Sequence, residues 1–227
     1  MASAPPLHDE VRIKATLWSL QALNLPEGSF EAKFRITLFW APTIVAAPAV
    51  ASSLEAAADG ILAKWQLLDR SHGKYGDTIV DVPPLALLNA TSLTVEGSPE
   101  LHAVKRPTGR ILFRWNCMYS AKLLEPELFS EHALYPFPYD SHFLSIDLDV
   151  RYGVFKDVPL KLAVAEDVDW RGRLPHAEVS ERVILNEWII SPELDFEVET
   201  RDAMLHVRIF IWRKYQYVET NVLMLNA

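Results

Sequence analysis

Residues 11–18 alternate strictly. Val11, Ile13, Ala15 and Leu17 are apolar, and Arg12, Lys14, Thr16 and Trp18 take the intervening positions. Successive side chains of a strand point to opposite faces, so a period of two predicts a strand with one buried face. The stretch from Phe30 to Trp40 repeats the pattern, with Phe34, Ile36, Leu38 and Trp40 opposite Lys33, Arg35, Thr37 and Phe39. Between the two runs, Leu25-Pro-Glu-Gly-Ser29 carries Pro and Gly in turn roles, and the whole predicts a hairpin. Residues 41–51 are rich in Pro and Ala and predict no element. The spacing then changes. Leu54, Ala57, Ala58, Ile61, Leu62, Trp65 and Leu68 recur at helical intervals, and Ser52 or Ser53 can cap the first turn, which predicts one helix over 53–68.

From Ile79 onward the chain returns to strand-like runs: 85–89, 92–96, 101–105, 111–124, 143–152, 159–164, 179–191, 194–199 and 203–214. Turn residues fall between several of them, at Gly97-Ser-Pro99, Pro107-Thr-Gly109, Tyr152-Gly153 and Gly172. Many short strands broken by turns predict an all-β antiparallel sandwich or barrel. No repeat and no linker composition divides the 227 residues, so a single domain over 1–227 is expected.

Composition narrows the function classes. A net charge of −8 argues against nucleic-acid binding, which needs a basic surface. No run of 18 apolar residues is present, so no membrane-spanning helix is expected within these residues. The first ten residues have neither a basic nor an apolar signal-peptide region. Cys117 is the single cysteine, so no disulfide forms within the chain, and in its apolar run it reads as a small buried hydrophobe. The seven histidines show no His-x-His or His-Glu-x-x-His spacing, and zinc is not expected. Glu166-Asp167-Val168-Asp169 and the pair Asp147 and Asp149 offer carboxylate oxygens suited to Ca²⁺, against the simpler reading of a solvated acidic face. No nucleophile motif or phosphate loop appears, and the chain does not read as an enzyme. Of the tryptophans, Trp40, Trp188 and Trp212 fall near strand ends and are expected in the core. Trp170, in a polar run, is expected to be exposed.

The most distinctive stretch is Tyr135-Pro136-Phe137-Pro138-Tyr139-Asp140, followed by Leu144, Ile146, Leu148 and Val150 in alternation with Ser145, Asp147 and Asp149. A proline-stiffened aromatic turn ending on one carboxylate is suited to pressing against another surface. This run resembles the Phe-Pro-Phe-Asp signature of the pentameric ligand-gated ion channels, the Cys-loop receptor superfamily with its cysteine-free members. Other segments follow in the order that family uses. These are Trp18, Glu27 and Trp40 in a first hairpin, and Val82-Pro-Pro-Leu-Ala-Leu-Leu-Asn89. After them come Gly109 to Leu124, Trp188-Ile-Ile, and Arg213-Lys-Tyr215-Gln-Tyr217 ahead of Asn221. The chain departs from the family in lacking the cysteine pair, in carrying Asp81 where a Trp is usual, in placing Leu88 at the first cage aromatic, and in having no proline near 223–226.

The resemblance implies an immunoglobulin-like antiparallel β-sandwich that ends in a pre-transmembrane segment, 213–227. It implies a ligand-sensing ectodomain on the extracellular or periplasmic face of a membrane, forming a homopentamer, binding a small molecule between subunits and joined to a transmembrane domain. By position, the ligand site would draw on Arg35, Leu88, Asn89, Tyr119, Arg151, Tyr152 and Phe196, the last on a capping loop. Arginine beside an aromatic suits an acidic ligand. Coupling to the pore would use Glu27, Phe137, Pro138, Tyr139, Asp140 and Arg213, with Arg213 bridging two carboxylates. No cofactor is expected beyond the Ca²⁺ option. Two other classes stay open. One is a free-standing soluble, cytoplasmic binding or assembly module that kept the fold without the channel. The other is a carbohydrate-binding sandwich, which would need exposed Trp170 and Ca²⁺.

Overall fold

The computed structural model describes residues 8–42, 66–69, 74–75, 78–79, 82–83, 85–105, 111–125, 140–149, 161–164, 177–179, 187–199 and 204–214. The opening hairpin forms as its alternation requires. Strand β1 (His8–Asn24) pairs antiparallel with β2 (Ser29–Pro42) across the Leu25–Gly28 turn, where the Gly28 N–H donates to the Leu25 carbonyl at 3.0 Å. Gly28 adopts φ +55°, a conformation that costs a residue without Cβ little. β2 in turn pairs with β8 (Ile111–Leu124), and β8 with β7 (Ala90–Lys105), which carries β3 (Gln66–Asp69) at its far edge. On the other side of β1 lie β10 (Lys161–Val164) and β11 (Ala177–Val179), both parallel to it. The smaller sheet runs β12 (Trp188–Glu199), β13 (Met204–Arg213), β9 (Ser141–Asp149) and the two-residue β6 (Ala86–Leu87), all antiparallel. A separate ribbon joins β4 (Lys74–Tyr75) to β5 (Thr78–Ile79).

The chain is therefore all-β, built on two facing sheets, as the short alternating runs predicted. Their inner faces supply one core. Val11, Ile13, Leu17, Phe34, Ile36, Leu38 and Trp40 come from the large sheet. Leu144, Ile146, Leu148, Val207, Ile209 and Ile211 come from the small one. Each is buried at the parity that the sequence alternation assigns to it.

Two local expectations change. Residues 66–68, read as the end of a helix, lie on strand β3, and the rest of that segment, 53–65, falls outside the described residues. The apolar run there satisfies either period, because Leu68 packs against the core while Leu67 is exposed, as strand parity requires. The open ladder of β7 at Leu101–Ala103 decides between them by giving this backbone hydrogen-bond partners. Second, Gly97-Ser-Pro99 is not a turn between two strands. β7 runs through it, and its register against β8 jumps from Glu96↔Met118 to Glu100↔Asn116. Gly97 takes φ +72° and absorbs the extra residues as a bulge.

The sheets are also tied by polar groups. Asn89 donates through Nδ2 to the carbonyls of Leu124 (3.0 Å) and Ser145 (2.7 Å), and its Oδ1 accepts from the Asp147 N–H at 3.1 Å. One side chain thus joins the end of β8 to the middle of β9. The buried Glu125 carboxylate adds a second tie by accepting the Ser145 N–H at 2.8 Å. Asn89→Ala strands main-chain groups at the junction and is expected to cost about 2 kcal/mol. It should lower the midpoint of urea unfolding with an unchanged slope, and an unshifted midpoint would refute the clamp.

Candidate functional site

Two places in the described residues combine charge with shape. The first is the end of the sandwich where β9 begins and β13 finishes. Antiparallel pairing sets Ser141 against Trp212, which brings the next residue out on each strand, Asp140 and Arg213, together. Arg213 donates to the Asp140 carboxylate as a fork, Nε to Oδ1 at 2.6 Å and Nη2 to Oδ2 at 2.9 Å, and its main-chain N–H donates to the Asp140 carbonyl at 3.1 Å. Asp140 is 0% exposed and the Arg213 side chain 9%. His142, two residues along β9 and so on the same face, reaches Asp140 Oδ2 through Nε2 at 3.3 Å. The guanidinium lies over Trp188 at 4.4 Å, and the Trp188 ring also meets His142 at 5.4 Å.

Burial pushes the Asp140 carboxyl up, but the Arg213 hydrogen bonds and charge, with the His142 contact, outweigh it and hold the group below its ordinary value of 3.8. An isolated buried carboxylate would be costly, and the fork makes it tolerable.

The second carboxylate on Arg213 is Glu187, which accepts from Nη1 at 3.3 Å, and its carbonyl accepts the Lys214 N–H at 2.8 Å. Glu27, which the resemblance put in this cluster, sits instead with Lys122 at 3.1 Å and Ser29 at 3.5 Å, its own N–H capped by Asn24. The pairing register of β2 and β8 sets Glu31 against Lys122, and Lys122 reaches along the sheet to the turn that carries Glu27. Phe137, Pro138 and Tyr139 lie outside the described residues. His142, Glu187 and Trp188 were not singled out for this cluster. The parity of β9 places His142 beside Asp140, but only the fold brings Glu187 and Trp188 to it.

The second place is a hollow of about 570 Å³ on the outer face of the large sheet, between Trp18 on β1, Lys33 and Arg35 on β2, Asn116 on β8, and Glu96 and Glu100 flanking the β7 bulge. The bulge lies at the hollow: three residues of β7, 97–99, face the single residue Cys117 of β8, and Gly97 and Ser98 line the space with Glu96 and Glu100. Lys33 is paired with Glu96. Arg35 is exposed and lies over the Trp18 ring at 5.1 Å, with no carboxylate partner among the described residues. The hollow therefore presents a guanidinium on an aromatic platform, with Glu96 held by Lys33 and Glu100 also in the lining, and the guanidinium is the group in it able to fork onto an acid. Lys33 and Arg35 share this face by the parity of β2, but the contribution of β7 was not legible without the bulge.

The other ligand-site residues do not gather around Arg35. Tyr119 is buried on the opposite face of the large sheet, its ring 5.8 Å from Phe34. Burial also raises its hydroxyl well above the usual range. Leu88 is exposed at the turn after β6. Asn89 is committed to the inter-sheet clamp. Phe196 lies on strand β12 opposite Val207, not on a loop, because that strand runs on to Glu199 past a bulge between Ile190 and Leu194. Arg151 and Tyr152 lie outside the described residues, as do Glu166–Asp169 and Trp170. Asp149 is buried, and Asp147 is bonded to Ser145 and to His206 Nδ1 at 2.7 Å, so this pair does not form an open acidic face. Trp40 and Trp188 are buried as expected, but Trp212 stands on the outer face of the small sheet in ring contact with Phe210. The parity that turns Ile209 and Ile211 inward turns Trp212 out.

Asp140→Asn leaves Arg213 short of its charged partner in a dry site and is expected to cost about 3–5 kcal/mol near neutral pH. The pH dependence has a fixed sign. A carboxyl whose folded pKa is depressed contributes fully above 3.8 and loses its contribution as pH falls through the lower folded value. The stability gap between wild type and Asp140→Asn, from urea melts across pH, should therefore be constant above about pH 5 and close below about pH 4. A gap that persists at low pH would show that charge is not the source. No family model and no curated protein matches this chain.

Proposed function

We propose that this domain is the ligand-sensing part of a pentameric ligand-gated channel, binding a small organic acid on the outer face of the large sheet. Its Asp140–Arg213 junction would then transmit the state of the domain to a pore. The observation that carries the reading is that junction. Asp140, which ends the aromatic and proline sequence 135–140, and Arg213, two positions before the Tyr215–Leu225 run, are bonded to each other through a buried fork, although they are 73 positions apart. A ligand-driven shift of β9 against β13 would move Asp140 and Arg213 together. The Arg35–Trp18 hollow supports the sensing half, because its guanidinium stacks on an aromatic ring and pairs with no carboxylate among the described residues, which favours an acid as ligand.

The test joins two measurements on the purified chain, mass by light scattering over a concentration series and tryptophan fluorescence during titration with small carboxylic acids. A mass near five chains, with a saturable fluorescence change that Arg35→Ala weakens at least about tenfold, is the expected outcome. Arg35→Lys should recover only part of that loss, since an ammonium does not reproduce the planar stack on Trp18. A strict monomer whose fluorescence responds to acids through Arg35 favours the free-standing binding module. A monomer with no response overturns both.

A further inference from the structure

The small sheet turns an aromatic surface outward. At the end that carries the Asp140–Arg213 fork, Ile189 on β12, Phe210 and Trp212 on β13 and Phe143 on β9 stand on the outer face of three adjacent strands. Phe143 is 45% exposed and Ile189 39%. The rings hold one another in place, Phe143 to Phe210 at 4.9 Å and Phe210 to Trp212 at 5.5 Å. A contiguous apolar patch of this kind on a sheet whose other face already forms the core marks an interaction surface. Farther along the same face the chemistry becomes polar, with Arg208 exposed and His206 bonded to Asp147. The apolar surface is thus confined to one end.

We propose that this patch rests on the headgroup–acyl boundary of a lipid bilayer. Arg213 and Lys214 lie at this end, and the sequence after them reads Tyr215-Gln-Tyr217-Val218 and then Val222-Leu-Met-Leu225, aromatics followed by aliphatics of the kind that favours a bilayer boundary. Aromatic rings are favoured at that boundary, and rings already packed against each other lose little conformational freedom on binding. The net charge of −8 works against attraction to anionic lipids, so contact is apolar and belongs to zwitterionic surfaces. The proposal rests on the channel reading for the orientation of the domain.

The test is co-sedimentation of the full chain with phosphatidylcholine vesicles, with light scattering of the same samples without lipid. The wild type is expected to pellet with the vesicles and to keep doing so when salt is raised. Phe143→Ser and Ile189→Ser should each lower the bound fraction several-fold. Leu93→Ser and Val95→Ser, at exposed positions on the large sheet, should leave it unchanged. Ile189→Lys provides a second variant at an exposed site should Phe143→Ser fold poorly. A wild type that stays in the supernatant overturns the proposal. So does vesicle binding that survives the patch substitutions, which would assign it to another segment. A patch substitution that lowers the lipid-free mass instead would make the surface a contact between copies and likewise overturn it. A five-chain mass with no vesicle binding refutes the patch alone and leaves the channel reading standing.

Discussion

A carboxylate with no solvent exposure has to be compensated, and in this domain the compensation joins two strand ends. Asp140 is buried at the mouth of β9, and Arg213 at the exit of β13 is bonded to it in a fork. Because a guanidinium is planar and its donors are fixed in direction, the pair holds in one relative placement of the two strands. That placement is also the register in which Leu144, Ile146 and Leu148 face the core beside Val207, Ile209 and Ile211. A one-residue slip would turn every one of these side chains outward and separate the charges. Core and ion pair therefore specify the same register, one by area and the other by geometry.

The remaining polar ties follow the same division of labour. There is no disulfide, and Cys117 is a buried thiol whose ionisation burial suppresses. Among the described residues the sheets are tied instead by Asn89, which bonds main-chain groups of both, and by Glu125, which reaches from the end of β8 to the Ser145 N–H. These bonds satisfy backbone donors and acceptors at the place where β8 ends and regular pairing stops, and unsatisfied groups there would be expensive. Asn89 illustrates a general hazard in assigning ligand residues by position. An amide with its donors and acceptor engaged by the backbone has little left for a ligand.

The two candidate sites arise from opposite physical causes. The junction at Asp140 is regular structure carried to its end, with strand pairing continued by side-chain charges. The hollow at Arg35 lies at an irregularity, the β7 bulge where 97–99 stand opposite one residue. Bulges commonly redirect side chains beside functional sites, and this one brings Glu96 and Glu100 into the lining of the hollow, Glu96 onto Lys33. The aromatic patch of the small sheet belongs to the first kind, since it follows from parity once the inner face is assigned.

Strand parity was legible directly from the residues. Val11 to Leu17, Phe34 to Trp40 and Leu144 to Leu148 are apolar at every second position, and water excludes such faces whatever the partner. That was enough for the all-β class and for which side of each strand is buried. It was not enough for residues 66–68, where the apolar spacing fits two periods and only the open edge of β7 chose the strand. Nor was it enough for Gly97-Ser-Pro99, where a turn and a bulge share the same residue preferences. The pairing of Asp140 with Arg213, the diversion of Glu27 to Lys122, the recruitment of Glu187 and the hollow on β2 were all decided by tertiary structure. Each depends on which strands become neighbours across tens of residues, and no local pattern of hydrophobic and polar positions encodes that distance.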